Sequence, residues 1–350
     1  MIACVDLFCG IGGLTHGLEN GGVRVVAGVD TDEQCRFAYE ANNRATFIHR
    51  DVREVSGVEL ESMWAKKTAY RLLAGCAPCQ PFSTYSRKGR SSRADDKWGL
   101  VLDFGRLIEE TKPDFITMEN VPQLADHAVF QEFLRSTRDY HNWYGVVECS
   151  SYGVPQTRKR LVLLGSRWGE IALAPPTFAD DEIRPTVRDA IGHLRPLSAG
   201  EIDPADRMHR ACRLSRLNLK RIKQSLPGGT WRDWTPDLVA KCHRKATGET
   251  YPSVYGRMEW DAPCPTITTQ CFGYGNGRFG HPEQDRAITL REAAILQTFP
   301  ESYVFLDACE EPTFSTMGRL IGNAVPVRLG EVVAESLCAH VKVIKKRRAR

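Results

Sequence analysis

The 350-residue sequence has no apolar run near the roughly 20 residues that a membrane span needs. It also lacks a charged and then apolar leader: Met1 stands directly before Ile2-Ala3-Cys4-Val5, which reads as a strand, so neither signal nor transit peptide is expected. There is no His-x3-His pair, and Cys264 and Cys271 are spaced too widely to complete a four-ligand zinc site, so no metal is expected. No internal repeat occurs, and no low-complexity segment apart from the tail. The tail itself lacks acid: it carries Lys342, Lys345, Lys346, Arg347, Arg348 and Arg350, six cations that outweigh the whole chain's net charge of +4. Such a run either attracts phosphate or is a solvated end.

What is present is ordinary for a globular protein, with 42% hydrophobic and 26% charged residues. The length allows one large domain and a smaller one. Twelve cysteines, mostly inside apolar runs, suit reduced thiols and a cytoplasmic location.

The chain opens as strand (2–8), glycine turn (Cys9-Gly10-Ile11-Gly12-Gly13), helix (14–20) and strand (23–29) ending at Asp30. That is the first βαβ unit of a doubly wound, Rossmann-like α/β sheet. Glycines let backbone approach a ligand, and an acid after the second strand can meet ribose hydroxyls. The dinucleotide pattern is incomplete, since Thr15 stands where its third glycine would be, so the turn reads as a nucleoside-cofactor turn of another kind. Asp51 ends a third strand. An apolar run over 70–74 then delivers Gly75-Cys76-Ala77-Pro78-Cys79-Gln80-Pro81-Phe82-Ser83. Pro78 and Pro81 restrict their own φ and their predecessors, so the thiol of Cys79 is held on a rigid loop, as a nucleophile requires. Three other readings stand beside this one: a core cysteine, half of a redox Cys76-x-x-Cys79 pair, and a zinc ligand. A redox pair opens a helix, which Pro81 would interrupt.

The polar stretch over 84–98 reads as a mobile lid beside the thiol, and 100–111 as a helix with Leu100, Phe104, Leu107 and Ile108 on its buried face. Glu119-Asn120 ends a buried strand, an unusual place for an acid unless it is paired or functional. Gln156-Thr157-Arg158-Lys159-Arg160 brings three cations to the start of another strand. Beyond Pro175-Pro176 the βα alternation stops. Arg207, Arg210, Arg213, Arg216, Lys220 and Lys223 recur at three- to four-residue spacing, with Arg221 beside them, and predict a basic helix stripe for phosphate contacts. Leu214, Leu217, Ile222 and Leu226 would form its other face. The stretches 228–234, with Trp231 and Trp234, and 266–270 read as loop and strand of a recognition surface. A proline-stopped helix (289–299) and a long apolar helix (327–341) close the chain. The boundaries expected are a catalytic and cofactor domain over 1–180, a target-recognition domain over 181–285, and a return to the first domain with its basic tail over 286–350.

These stretches together resemble the cytosine-5 DNA methyltransferases over nearly the whole chain. Asp6-Leu7-Phe8-Cys9-Gly10-Ile11-Gly12-Gly13 looks like the family's first motif, Pro78-Cys79-Gln80 its nucleophile motif and Glu119-Asn120-Val121 its acid motif. Gln156-x-Arg158-x-Arg160 is similar to a fourth motif, and 286–292 and Gly322-Asn323-Ala324-Val325-Pro326 to the closing ones. The order is the family's.

The resemblance implies S-adenosylmethionine as cofactor, leaving as S-adenosylhomocysteine, held by Phe8, Gly10, Gly12, Gly13, Asp30, Asp51, Val52, Leu100, Asn323 and Ala324. It implies attack of Cys79 at C6 of a flipped cytosine in duplex DNA, with Glu119 sharing a proton with N3. Arg160 would meet the base carbonyl, Arg158 would organise the loop, and Asn120 would hold the Glu119 loop. Gln80, Ser83, Gln156, Arg213, Arg216 and Lys220 are the nucleic-acid candidates. The implied setting is double-stranded DNA, a monomer, no membrane, and a cognate restriction endonuclease in the same system. A tRNA cytosine-5 methyltransferase is the rival of the same architecture, suggested by Cys271-Phe272-Gly273-Tyr274-Gly275. A thiol–disulfide oxidoreductase and a DNA-binding protein without turnover are rivals of other classes. Cys76 departs from the family's usual Gly and is expected to be a bystander.

Overall fold

The computed structural model describes residues 1–64, 68–78, 93–179, 182–245, 248 and 250–349, with the side chains of residues 93–98 left aside. Cys79, Gln80 and Ser83 lie outside the described residues, as does most of the expected lid. By internal contacts the chain forms two compact units: Met1–Tyr152 with Lys159–Thr177 and Val325–Arg350, and Gly153–Arg158 with Phe178–Ala324.

The first unit is built on a seven-stranded sheet. Its elements are β1 (Ile2–Leu7), α1 (Gly13–Asn20), β2 (Arg24–Asp30), α2 (Arg36–Asn42), β3 (Thr46–His49), α3 (Gly57–Met63), β4 (Tyr70–Gly75), α4 (Arg93–Thr111), β5 (Phe115–Asn120), α5 (Ala128–Ser136), β6 (His141–Glu148) and β7 (Lys159–Ser166). The strand order is β3-β2-β1-β4-β5-β7-β6. Strands β1 to β5 run parallel, and β7 is antiparallel to both neighbours. The central strands are buried on both faces, which is why β1 and β4 read as near-continuous apolar runs. Helix α4 begins at Arg93, earlier than the apolar spacing suggests, so the end of the expected lid is helical. Its Phe104, Leu107 and Ile108 are wholly buried in the core, and Leu100 packs at that core's margin.

A last helix, α10 (Val327–Arg348), returns to this unit after four helices of the second, named below. It crosses α1 so closely that a Cβ at Gly17 would meet the Val327 carbonyl oxygen at 2.2 Å. Glycine is therefore required at that crossing. The crossing anchors the helix that follows the glycine turn.

The second unit contains short helices α6 (Val187–Ile191), α7 (Arg216–Gln224), α8 (Leu290–Leu296) and α9 (Phe314–Asn323), joined by irregular segments and isolated bridges. One core cluster is Ile222, Trp231, Trp234, Leu238, Tyr274 and Ala287. Buried loop backbone needs partners, and Arg257 supplies several. Its guanidinium donates to the carbonyls of Ile222, Ser225, His281 and Gln284 and pairs with Asp285.

Two expectations are corrected here. Trp231 and Trp234 are core side chains rather than recognition surface, and 266–270 contains no strand. The basic residues over 207–223 do not share one helix, since α7 starts only at Arg216. Arg207 and Arg210 instead satisfy carbonyls of Asp307, Glu310 and Pro312, and Arg221 is buried against Leu238. Of the expected apolar face, Ile222 and Leu214 pack into the core, whereas Leu217 and Leu226 are exposed.

Candidate active site

Three functional elements of the first unit lie at or beyond the carboxyl ends of its parallel strands, where ligands bind in doubly wound sheets. The first is the turn after β1. Phe8, Gly10 and Gly12 have φ of 60°, 50° and 84°. Gly12 caps α1 in the left-handed region, and a Cβ at Gly10 would meet nothing within 4 Å, so the backbone there borders open space. The turn is held from β2: Asp30 Oδ2 accepts the Gly10 N–H at 2.8 Å and Oδ1 accepts that of Asp32 at 2.9 Å. Burial raises the Asp30 carboxyl, and these backbone donors oppose the rise.

Asp51 caps the short turn after β3 and pairs with Arg53 at 2.5 Å, which lowers its pKa. The Val52 side chain is in the core, and its carbonyl accepts from the Arg106 guanidinium at 3.2 Å. Asp6 is a residue that sequence reasoning quoted without giving it a role. It is 1% exposed. Thr15 Oγ1 donates to its Oδ2 at 2.7 Å, but Oδ1 has no partner among the described residues. Burial pushes this carboxyl up to about 7 against the Thr15 bond. The available signal was an acid inside the apolar run Ile2-Ala3-Cys4-Val5-Asp6-Leu7.

The second and third elements are the loop after β4 and the end of β5. Asn120 is buried, and its Nδ2 donates to the Ala77 carbonyl at 3.0 Å while Oδ1 accepts the Val121 N–H. This ties β5 to the loop leading through Pro78 towards Cys79. Glu119 Oε1 lies 2.7 Å from Arg160 Nε, with both side chains about one-eighth exposed, at 13% and 12%. The contact is off the N–H direction, since Oε1 has no aligned hydrogen bond among the described residues. The strand register ends at Gly75 opposite Met118, so the next residue, Cys76, sits beside Glu119. Its thiol is within hydrogen-bonding reach of the Glu119 carboxylate and backbone, and burial together with that charge pushes its pKa well up. Cys76 therefore has the site acid as a neighbour, which its reading as a bystander did not foresee.

The remaining candidates belong to the second unit. Arg158 is 3% exposed and donates to the carbonyls of Ile267 and Ala324 at 3.1 and 3.4 Å. Gln156 is 0% exposed: its amide donates to the Leu296 carbonyl and Gln297 Oε1, and its oxygen accepts the Ile267 N–H. A side chain so enclosed is scaffold, and the expected nucleic-acid contact from it is corrected accordingly. The motif therefore divides, Arg158 going to the second unit and Arg160 to the first. Asn323 is exposed at the end of α9, with Ala324 following it. Arg213, Arg216 and Lys220 are exposed.

A doubly wound sheet with a glycine turn at one strand end and a carboxylate–guanidinium pair at another defines a nucleoside-cofactor enzyme of the Rossmann-like class. Comparison with known proteins carries this further. The C-5 cytosine-specific DNA methylase family matches residues 2–339. A Type II methylase from Herpetosiphon aurantiacus, M.HgiDII, is 53% identical over 340 residues, 96% of this chain and 94% of its own length. The Type II methyltransferase M1.HphI from Haemophilus parahaemolyticus is 30% identical over 95% of this chain and 86% of its length. A crystal structure of a prophage-encoded DNA modification methyltransferase from E. coli superposes with a TM-score of 0.74 at 21% identity, covering 98% of this chain and all of that one, and bears on the fold alone. The chain belongs to the C-5 cytosine-specific DNA methylase family and is a cytosine-5 DNA methyltransferase.

Proposed function

We propose that the chain methylates C5 of a flipped-out cytosine within one specific duplex DNA sequence through a covalent bond between Cys79 and C6. The observation that carries this reading is the Glu119–Arg160 pair at the ends of β5 and β7, with Asn120 bonded to the loop that leads to Cys79. Cytosine C5 is a poor nucleophile. Addition of a thiolate at C6 makes C5 enamine-like, and negative charge builds towards N3. Glu119, sharing a proton with N3, neutralises that charge, and Arg160 holds the neighbouring carbonyl oxygen. A carboxyl and a guanidinium side by side match this edge of the ring, which presents a proton site next to an acceptor. After methylation a base removes the C5 proton and the Cys79 bond breaks. Extruding the base costs a few kcal/mol, recovered through contacts in the pocket.

Residues of the glycine turn fit S-adenosylmethionine, which when bound supplies an electrophilic methyl group. The open space at Gly10 admits a ligand against backbone, and Asp30 lies at the strand end suited to ribose. Phe8, Gly12, Gly13, Asp51, Val52 and Leu100 complete the contacts from the first unit. Arg158 and Gln156 hold loops of the second unit, while Arg213, Arg216 and Lys220 meet DNA phosphates. The Type II names of the relatives support a place beside a restriction endonuclease, acting on cytoplasmic DNA. No described helix is long and apolar enough to cross a membrane.

An oligonucleotide with 5-fluorocytosine at the target lacks the proton that must leave. It should trap the enzyme covalently, and Cys79→Ser should abolish the trap. Absence of any adduct with a cognate site and cofactor present would falsify the mechanism. Bisulfite sequencing of DNA from cells expressing the chain identifies the target sequence.

A further inference from the structure

The basic tail is not an extension of the catalytic edge. Helix α10 stays regular to Arg348, and Lys342, Lys345, Lys346, Arg347 and Arg348 are all exposed, with no acid in the chain beyond Glu335. The Arg348 guanidinium lies 4.1 Å from the ring centroid of Trp168. Trp168 is itself fixed: its Nε1 donates to Asp114 Oδ1 at 2.7 Å, and its ring meets Tyr70 edge-on. A recess of about 350 Å³ is lined by Ala69, Tyr70, Lys345, Arg348 and Ala349. Nearby, Arg71 and Arg167 both donate to the Lys112 carbonyl, which gathers two more guanidinium groups at the same edge. The acids there are engaged, Asp114 by the Arg71 N–H and Trp168, and Glu61 by Arg71.

Tyr70 begins β4 and Phe115 begins β5, whereas Gly75 and Asn120 end them next to the Cys79 loop and Glu119. Six strand residues span roughly 20 Å. That is about two Debye lengths at 0.1 M salt, so the tail does not act on the catalytic edge through its field. It needs a contact of its own.

We propose that the end of α10 and the recess against the start of β4 form a second phosphate-backbone site, which holds a stretch of duplex DNA other than the one presenting the target cytosine. The proposal rests on the reading of this chain as a DNA methyltransferase. The chemistry is that of phosphodiester recognition: exposed cations, one guanidinium ordered on an aromatic face, and no unpaired acid among the residues named. Such a site adds affinity only when the DNA is long enough to reach both edges.

The test compares the wild type with a Lys342→Gln/Lys345→Gln/Lys346→Gln/Arg347→Gln variant, which leaves Arg348 on Trp168. A second variant, Arg348→Gln, is measured separately. On a short duplex of about 20 base pairs with one mapped site, kcat and KM should stay within about twofold of the wild type. On a plasmid, KM should rise about tenfold, and the slope of log affinity against log salt for long DNA should fall by about 3. Equal losses on both lengths, or no change on the plasmid, overturn the proposal. So does saturable binding of inorganic phosphate, read from Trp168 fluorescence against a Trp168→Phe control, if plasmid affinity is unaffected, because the recess is then a small-anion site. A wild type that methylates neither substrate sinks the functional reading instead.

Discussion

Two arginine–glutamate pairs among the described residues share a 2.7 Å separation, and their surroundings differ sharply. In the first unit, Glu119 and Arg160 are partly exposed, and Glu119 Oε1 has no aligned donor among the described residues. In the second, Arg286 and Glu292 are 0% and 1% exposed and doubly hydrogen-bonded. There Thr289 adds a capping box, its N–H and hydroxyl both bonded to Glu292. Burial would raise the Glu292 carboxyl, but the Arg286 charge and bonds win and hold it at about 2. A fully satisfied pair is architecture. A pair with unused bonding capacity beside a thiol loop is available for chemistry.

The comparison breaks most visibly if each pair is cut. Glu119→Gln should lower methyl transfer by about 10² to 10⁴-fold, the usual range for a general acid–base group, while the melting temperature stays close to that of the wild type. Full activity in a radiolabelled transfer assay would remove Glu119 from the mechanism. Arg286→Ala should instead destabilise the fold by about 3–5 kcal/mol, because it strands a buried carboxylate. Denaturant titration measures this, and the fraction still folded should keep its activity.

A smaller effect appears with pH. Glu292 falls from 4.5 to about 2, and burial lowers the adjacent His281 from 6.5 to about 4. Both groups bind fewer protons folded than unfolded, so their contribution is present above about pH 6.5 and is lost as pH falls through 4 towards 2. Acid unfolding followed by circular dichroism should show this loss, and Glu292→Gln should shallow its lower end. An unchanged acid limb would mean that the pair does not control stability.

The smallest effect is expected at Cys76. Removing the thiol beside Glu119 with Cys76→Ala should lower kcat about fivefold, equivalent to about 1 kcal/mol, and displace the pH profile of kcat. Cys76→Ser keeps a donor and should retain most activity. Identical profiles in all three proteins would restore Cys76 to the role of bystander.

The first unit was far more legible than the second. Its strands are buried on both faces and so read as apolar runs, and Glu119 stood out because an acid ended such a run. In the second unit a spacing of three to four residues suggested one basic helix, but Arg207 and Arg210 serve carbonyls that irregular backbone leaves open. Trp231 and Trp234 looked like surface and are core, since a unit with few helices and no extended sheet needs large side chains to fill it. Local spacing carries no record of which distant carbonyl a guanidinium will find.

By itself the sequence determined the family, the sheet, the order of the motifs and the identity of the residues available for chemistry, because strand periodicity, glycine turns and motif spacing are local properties of the chain. Only the tertiary structure decided how those residues are used. It left an Asp6 oxygen without a partner among the described residues, put Cys76 beside Glu119, closed Gln156 inside its unit, and carried the basic tail to the strand starts. Each of these depends on contacts between segments far apart in sequence, where burial and hydrogen bonding rather than residue type set the outcome.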